Sequence, residues 1–280
     1  MTLILVALIL AACARNGGTT PDPDAPDPDT TVLKVEVRGG FVGPDVLLGQ
    51  LPSFALLGDG RVLHPGAVPA IFPGPLLAPL QQRQLNAEGI RRVLAEVSAT
   101  GLFGTSRELR SAPVADAPDT IFTLRIGDRL TVITVYALGI SHGAGMSAEE
   151  ARAYQTLGAL NERLMSLEQW LPASAWADRE AVAYRPDAYR LRVLETDANE
   201  QEPTGIGFNL AAWPGQTGPA GGAAEAGGGR CLIVSGDEAD RWTAAFAKAN
   251  QLTRWTRGGL RYQIQPRPLL PDEPRECPAA

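Results

Sequence analysis

Gly139-Ile140-Ser141-His142-Gly143 has the G-x-S-x-G spacing that, on a strand-turn-helix, lifts a serine hydroxyl out of a sharp turn as a nucleophile. A β-branched run precedes it and a helix-cap pattern follows. The partners are missing: the only histidines are His64 and His142. An imidazole adjacent to the serine cannot both take its proton and be held by an acid. The run before the motif also reads as a hairpin, whereas such an elbow belongs to a parallel sheet. A glycine-rich connecting loop is the expectation, and a hydrolase with an unrecognised site is the alternative.

Other ligating patterns also fall short. Two histidines exclude a histidine-rich zinc site. Asp197-Ala198-Asn199 begins like a calcium loop, but Glu202 stands where the turn glycine belongs. The glycine-rich stretch 215–229 lacks the G-K-[ST] that clamps a phosphate. No metal and no cofactor is therefore expected. The last hairpin carries Arg254, Arg257, Arg261 and Arg267 together with Trp255 and Tyr262. One arrangement would be an exposed platform for an anion or a glycan, built from cations and aromatic faces; the favoured one turns both aromatics into the core.

Three cysteines are present: Cys13, Cys231 and Cys277. Leu10-Ala11-Ala12-Cys13 ends an apolar run that is too short to span a bilayer but long enough for the core of an export signal. It resembles the lipobox of bacterial lipoproteins, in which the thiol becomes the point of diacylglycerol attachment. The basic start of a signal peptide is missing, which points to a true start codon further upstream. Residues 14–31 alternate Pro21, Pro23, Pro26 and Pro28 with Asp22, Asp24, Asp27 and Asp29 and hold no apolar side chain larger than Ala. Such a segment buries no core and reads as a disordered, extended tether, spanning up to roughly 50 Å at ~3.1 Å per residue. With Cys13 consumed by lipid, the even remainder suggests a Cys231–Cys277 disulfide; the alternative is two free thiols.

A net charge of −6 disfavours nucleic acid as a partner, because phosphate neutralisation needs a concentrated basic surface. Val32–Arg38 alternates like a half-buried strand, Ser53–His64 reads as a hairpin turning at Gly58-Asp59-Gly60, and Asp119–Leu138 as a second hairpin turning at Gly127-Asp128. Phe122, Leu124 and Ile126 should face a helix that Asn86 caps and whose apolar side is Ile90, Val93, Leu94 and Val97. Ser147 and Glu150 form a capping box before a helix reaching Leu171. Further on come strands at Tyr189–Glu195 and from Cys231, a helix from Asp237 to Ala249, and a hairpin turning at Gly258-Gly259.

The expected fold is α+β: antiparallel sheets covered by helices in two small domains, 32–172 and 185–280, behind a signal peptide (1–12) and a tether (13–31). The lipobox, the tether and the tail QLTRWTRGGLRYQIQPRPLLPDE resemble uncharacterised lipoproteins of GC-rich bacteria. Residues 33–171, with RGGFVG, LNAEGIRRVLAEV and IFTLRIGDRLTVITV, resemble emfourin-type inhibitors of thermolysin-like metalloproteases. The GDG hairpin and the Pro-rich insertion depart from that pattern, so no inhibitory residue is carried over. The resulting expectation is a secreted, palmitate-bearing protein held on the extracytoplasmic face of the cell membrane. It would act as a non-enzymatic binding module for an envelope protein or glycan, with an envelope hydrolase as the alternative.

Overall fold

The computed structural model describes residues 26–43, 49–140, 145–225 and 228–277. Cys13, Ser141 and His142 lie outside them. The described chain is sheet-rich α+β, with two mainly antiparallel sheets and four α-helices.

The first sheet begins with β1 (Thr31–Gly39), β2 (Phe54–Leu57), β3 (Arg61–Pro65) and β4 (Leu80–Leu85). After α1 (Ala87–Ala99) come β5 (Arg107–Leu109), β6 (Pro118–Ile126) and β7 (Arg129–Tyr136). Helices α2 (Ala148–Met165) and α3 (Leu167–Trp170) then lead to β8 (Trp176–Ala183). The spatial order is β5-β7-β6-β1-β2-β3-β4-β8, antiparallel except where β5 meets β7.

One face of this sheet and the helices share a core. Leu33, Val35, Phe54, Leu56, Phe122, Leu124 and Ile133 join Val93 and Val97 of α1 and Leu157, Leu160 and Leu164 of α2. The cap of α1 is as expected, Asn86 accepting from the amides of Glu88 and Gly89. At Gly89 a Cβ would collide with the Ala175 carbonyl oxygen, so glycine is what lets α1 approach the turn before β8. The capping box of Ser147 and Glu150 is formed.

Several expectations are corrected. Ile126 is 58 % exposed rather than packed on the helix, because it stands at the tip of the β6–β7 hairpin, beyond the reach of α1 and α2. The long helix breaks at Ser166, whose hydroxyl turns back to the Glu162 carbonyl. β8 lies past residue 172 yet pairs with β4, so the first sheet extends further along the chain than expected. Residues 26–31 are held by the body: Gly58 donates to the Thr30 carbonyl at 2.9 Å, Asp59 donates to that of Pro28, and Arg61 pairs with Asp29.

The second sheet contains β9 (Ala188–Thr196), β10 (Asn209–Ala212), β11 (Ala223–Ala224) and β12 (Arg230–Ser235). Helix α4 (Asp237–Phe246) and the hairpin β13 (Thr253–Arg257) and β14 (Leu260–Pro268) complete it, in the order β10-β13-β14-β9-β12-β11. Its core is aromatic. Trp242 of α4 meets Trp213 and Trp255 edge-on at 5.0 and 5.2 Å, and Phe246 meets Tyr189 at 5.3 Å.

A third apolar cluster joins the two sheets. Ala55, Leu57 and Leu63, on the far side of the first sheet from α1 and α2, pack with Leu270, which follows β14. The tail beyond it is bonded covalently, because Cys277 forms a disulfide with Cys231 of β12. The bond spans a sequence separation of 46, for which chain entropy predicts about 4 kcal/mol of stabilisation. Replacing both cysteines by alanine should lower the urea midpoint accordingly, and dithiothreitol should do the same to the native chain but leave the variant unchanged.

Candidate functional site

The far side of the first sheet and the outer side of the second meet in a polar cleft of about 520 Å³. Strand alternation sends Leu33 and Val35 into the first core and therefore turns Lys34, Glu36 and Arg38 of β1 the other way, beside Thr123 and Arg125 of β6. In the second sheet Tyr189, Leu191 and Ile264 face α4, which leaves Arg190 of β9 and Arg267 of β14 on the cleft side. The segment after β14 supplies the remaining wall with Asp272, Glu273 and Pro274.

Most of the charges here already have partners. Glu36, only 8 % exposed, takes Lys34 at 3.1 Å and Arg38 at 2.8 Å. Arg267 grips Glu273 through both guanidinium nitrogens, at 2.7 and 2.6 Å, and donates its Nε–H to the Gln50 carbonyl. Asp272 accepts from the Thr31 amide and hydroxyl at 2.8 and 2.7 Å. Arg125 and Arg190 have no ion pair or hydrogen bond among the described residues, and the Nε of each is buried. Burial lowers the pKa of Arg190, and the neighbouring Arg267 lowers it further.

A second cavity, about 270 Å³, lies between β2–β4 and the end of α2. His64, Ser53 and the Arg83–Glu168 pair, 3.0 Å apart, line it. The Ser53 hydroxyl is donated to the Val35 carbonyl and Glu168 is engaged by Arg83, so no nucleophile, base and acid are joined there. At the G-x-S-x-G stretch, the strand leading in is β7, the antiparallel partner of β6. Among the described residues no cluster of His, Cys, Asp and Glu could hold a metal ion. Asp197 caps its own turn through the Asn199 amide, and Glu202 does the same with those of Thr204 and Ile206.

The residues singled out on the last hairpin separate. Trp255 and Tyr262 stand opposite each other on β13 and β14 and point into the aromatic core, at 2 and 8 % exposure, so no exposed stacking face forms from them. Arg254 is buried against Glu200 at 3.2 Å, with its guanidinium 4.0 Å over Phe208. Arg257 donates to the carbonyls of Gly215 and Gln216. Arg261 is partly exposed, opposite Thr256. Arg267 alone of that series reaches the cleft, and the cleft itself was missed. Its residues lie in five stretches spread from Thr31 to Pro274, and only the outward phase of Lys34, Arg125 and Arg190 on their strands hints at it.

Burial raises the pKa of Glu273, but the hydrogen bonds and charge of Arg267 outweigh it and hold the carboxyl below its ordinary value. A depressed carboxyl stabilises the fold above its unfolded pKa and stops doing so as pH falls through the folded value. Glu273→Gln should cost about 3 kcal/mol at neutral pH. In urea titrations its deficit against the native chain should shrink as pH falls below about 4. Comparison with protein-family models, curated proteins and solved structures finds no match for this chain.

Proposed function

We propose that this chain is a lipid-tethered protein of the cell envelope, on the extracytoplasmic face of the membrane. Its folded part is a non-enzymatic binding module of two small α+β units that part near residues 184–187. The single observation that carries the binding reading is the polar cleft between the sheets. It is concave, it gathers charged side chains from strands far apart in sequence, and it leaves two arginines without partners. Support for the compartment comes from Cys13 in LAAC, from the Pro/Asp stretch after it, and from the pairing of the other two cysteines, which persists in oxidising surroundings. Of the segments resembling emfourin-type inhibitors, two form α1 and the β6–β7 hairpin while RGGFVG runs off the end of β1 with Phe41 exposed, and capture of a thermolysin-like metalloprotease is one form this binding could take.

Mass spectrometry of the protein extracted from membranes of a bacterial host should find Cys13 as the N-terminal residue, carrying diacylglycerol. An intact Met1 ahead of an unmodified Cys13 would overturn the compartment. The Cys13→Ser chain, used as bait for envelope extract, should bind saturably and return its ligand unchanged; release of a cleaved product would favour the hydrolase instead.

A further inference from the structure

We infer that the cleft between the two sheets binds a phosphate monoester, with Arg190 and Arg125 as its direct ligands; this rests on the binding-module reading. The charge balance is the first argument. Lys34, Arg38, Arg125, Arg190 and Arg267 face the cleft, against the carboxylates of Glu36, Asp272 and Glu273. Two positive charges are left over on a chain whose net charge is −6. They match the two negative charges of a phosphomonoester near neutral pH, and guanidinium forks suit phosphate oxygens.

The second argument is an arrangement that folding alone disfavours. Arg190 and Arg267 are directly opposed residues of the antiparallel β9–β14 pair. Like charges so placed repel. The Arg267 charge is compensated by Glu273, at 2.6 Å, whereas no carboxylate is paired with Arg190. A guanidinium kept half out of water, beside a like charge and with no ion pair of its own, breaks a local rule of sheet construction. Such breaches collect at functional sites, where a ligand supplies the missing partner. Arg125, opposite Leu130 rather than a cation, is likewise without a partner on the other wall, with the Thr123 hydroxyl beside it as a neutral donor. The third argument is size. About 520 Å³ exceeds what a bare phosphate fills and lies within the range for small organic ligands.

The test uses the full chain carrying Cys13→Ser, titrated calorimetrically with glycerol 3-phosphate and, separately, with vesicles of phosphatidylcholine with and without phosphatidic acid. Saturable binding of glycerol 3-phosphate points to a soluble ester, and binding confined to the phosphatidic acid vesicles points to a lipid headgroup; either supports the inference. Arg190→Gln and Arg125→Gln should each weaken binding at least about tenfold, the loss of one charged hydrogen bond. Arg261→Gln should not. Because Arg190→Gln removes a repulsion, its melting temperature should be equal to or above that of the parent, which separates a ligand role from a structural one. No saturable binding of either probe, equal binding of succinate, or equal loss in Arg261→Gln would overturn the inference while leaving a lipidated Cys13 untouched. Release of free phosphate would keep the ligand and overturn the non-enzymatic reading instead.

Discussion

The structure depends on the pleat. A strand sends successive side chains to opposite faces, so once a sheet commits one face to a core, the residues between must be accommodated on the other. In β1, Leu33 and Val35 enter the first core, and the same step fixes Lys34 and Glu36 on the reverse side. In β9, Tyr189 and Leu191 pack under α4, and the same step fixes Arg190 outward. The reverse faces meet each other, so the layer between the sheets is assembled from what the cores reject. Where small and aliphatic side chains alternate with one another, as in Phe54-Ala55-Leu56-Leu57, the reverse face is apolar and closes on Leu270. Where they alternate with charges, it stays open as a cleft.

The C-terminal segment turns that meeting into a defined geometry. Its attachments are of three kinds: Leu270 in the apolar cluster, Glu273 in the bidentate grip of Arg267, and Cys277 bonded to β12. A buried ion pair alone gives little net stability, since desolvation offsets the attraction. Its value here is positional. The Leu270 amide also donates to Glu273, at 2.9 Å, so the carboxylate fixes the backbone that precedes it as well as the arginine across from it. Asp272, one residue earlier, is thereby aimed at Thr31, and the end of the chain is fastened to the start of β1.

The sequence made the elements with strong local signals legible. β1, the two hairpins of the first sheet, α1, α2 and the β13–β14 hairpin carry period-two or helical alternation with a cap or a glycine turn at their ends. β4 and β8 were not legible. Leu80-Gln81-Gln82-Arg83-Gln84-Leu85 has polar residues at four successive positions, and β8 is mostly exposed, so each is a strand because of its neighbour rather than its own pattern. The disulfide followed from counting cysteines. The cleft did not follow from anything local, because a site made of reverse faces exists only once two sheets are placed against each other. The cations of the last hairpin were visible as a group, but the group divides by parity: Trp255 and Tyr262 share the core side, and Arg267 falls on the cleft side two turns of the pleat beyond Gln263.

The root of the N-terminal segment lies beside this cleft. Thr31 both opens β1 and lines the cleft, and residues 26–30 are bonded to the β2–β3 turn before the described chain ends at Pro26. Gly58 is required there, since any Cβ would collide with the Asp27 carbonyl oxygen. If Cys13 carries lipid, as proposed, the twelve residues 14–25 set the reach between anchor and cleft, about 37 Å when fully extended at ~3.1 Å each. At physiological salt the attraction between exposed charges is screened out over about 8 Å. Attraction of the cleft to a charged surface would therefore act only near contact, and the aspartates Asp22 and Asp24 upstream oppose it by sign. Under these conditions diffuse charge contributes little to selection. If the cleft takes an anion, as inferred, selection rests on close contact with Arg125 and Arg190, which the two sheets present from opposite walls.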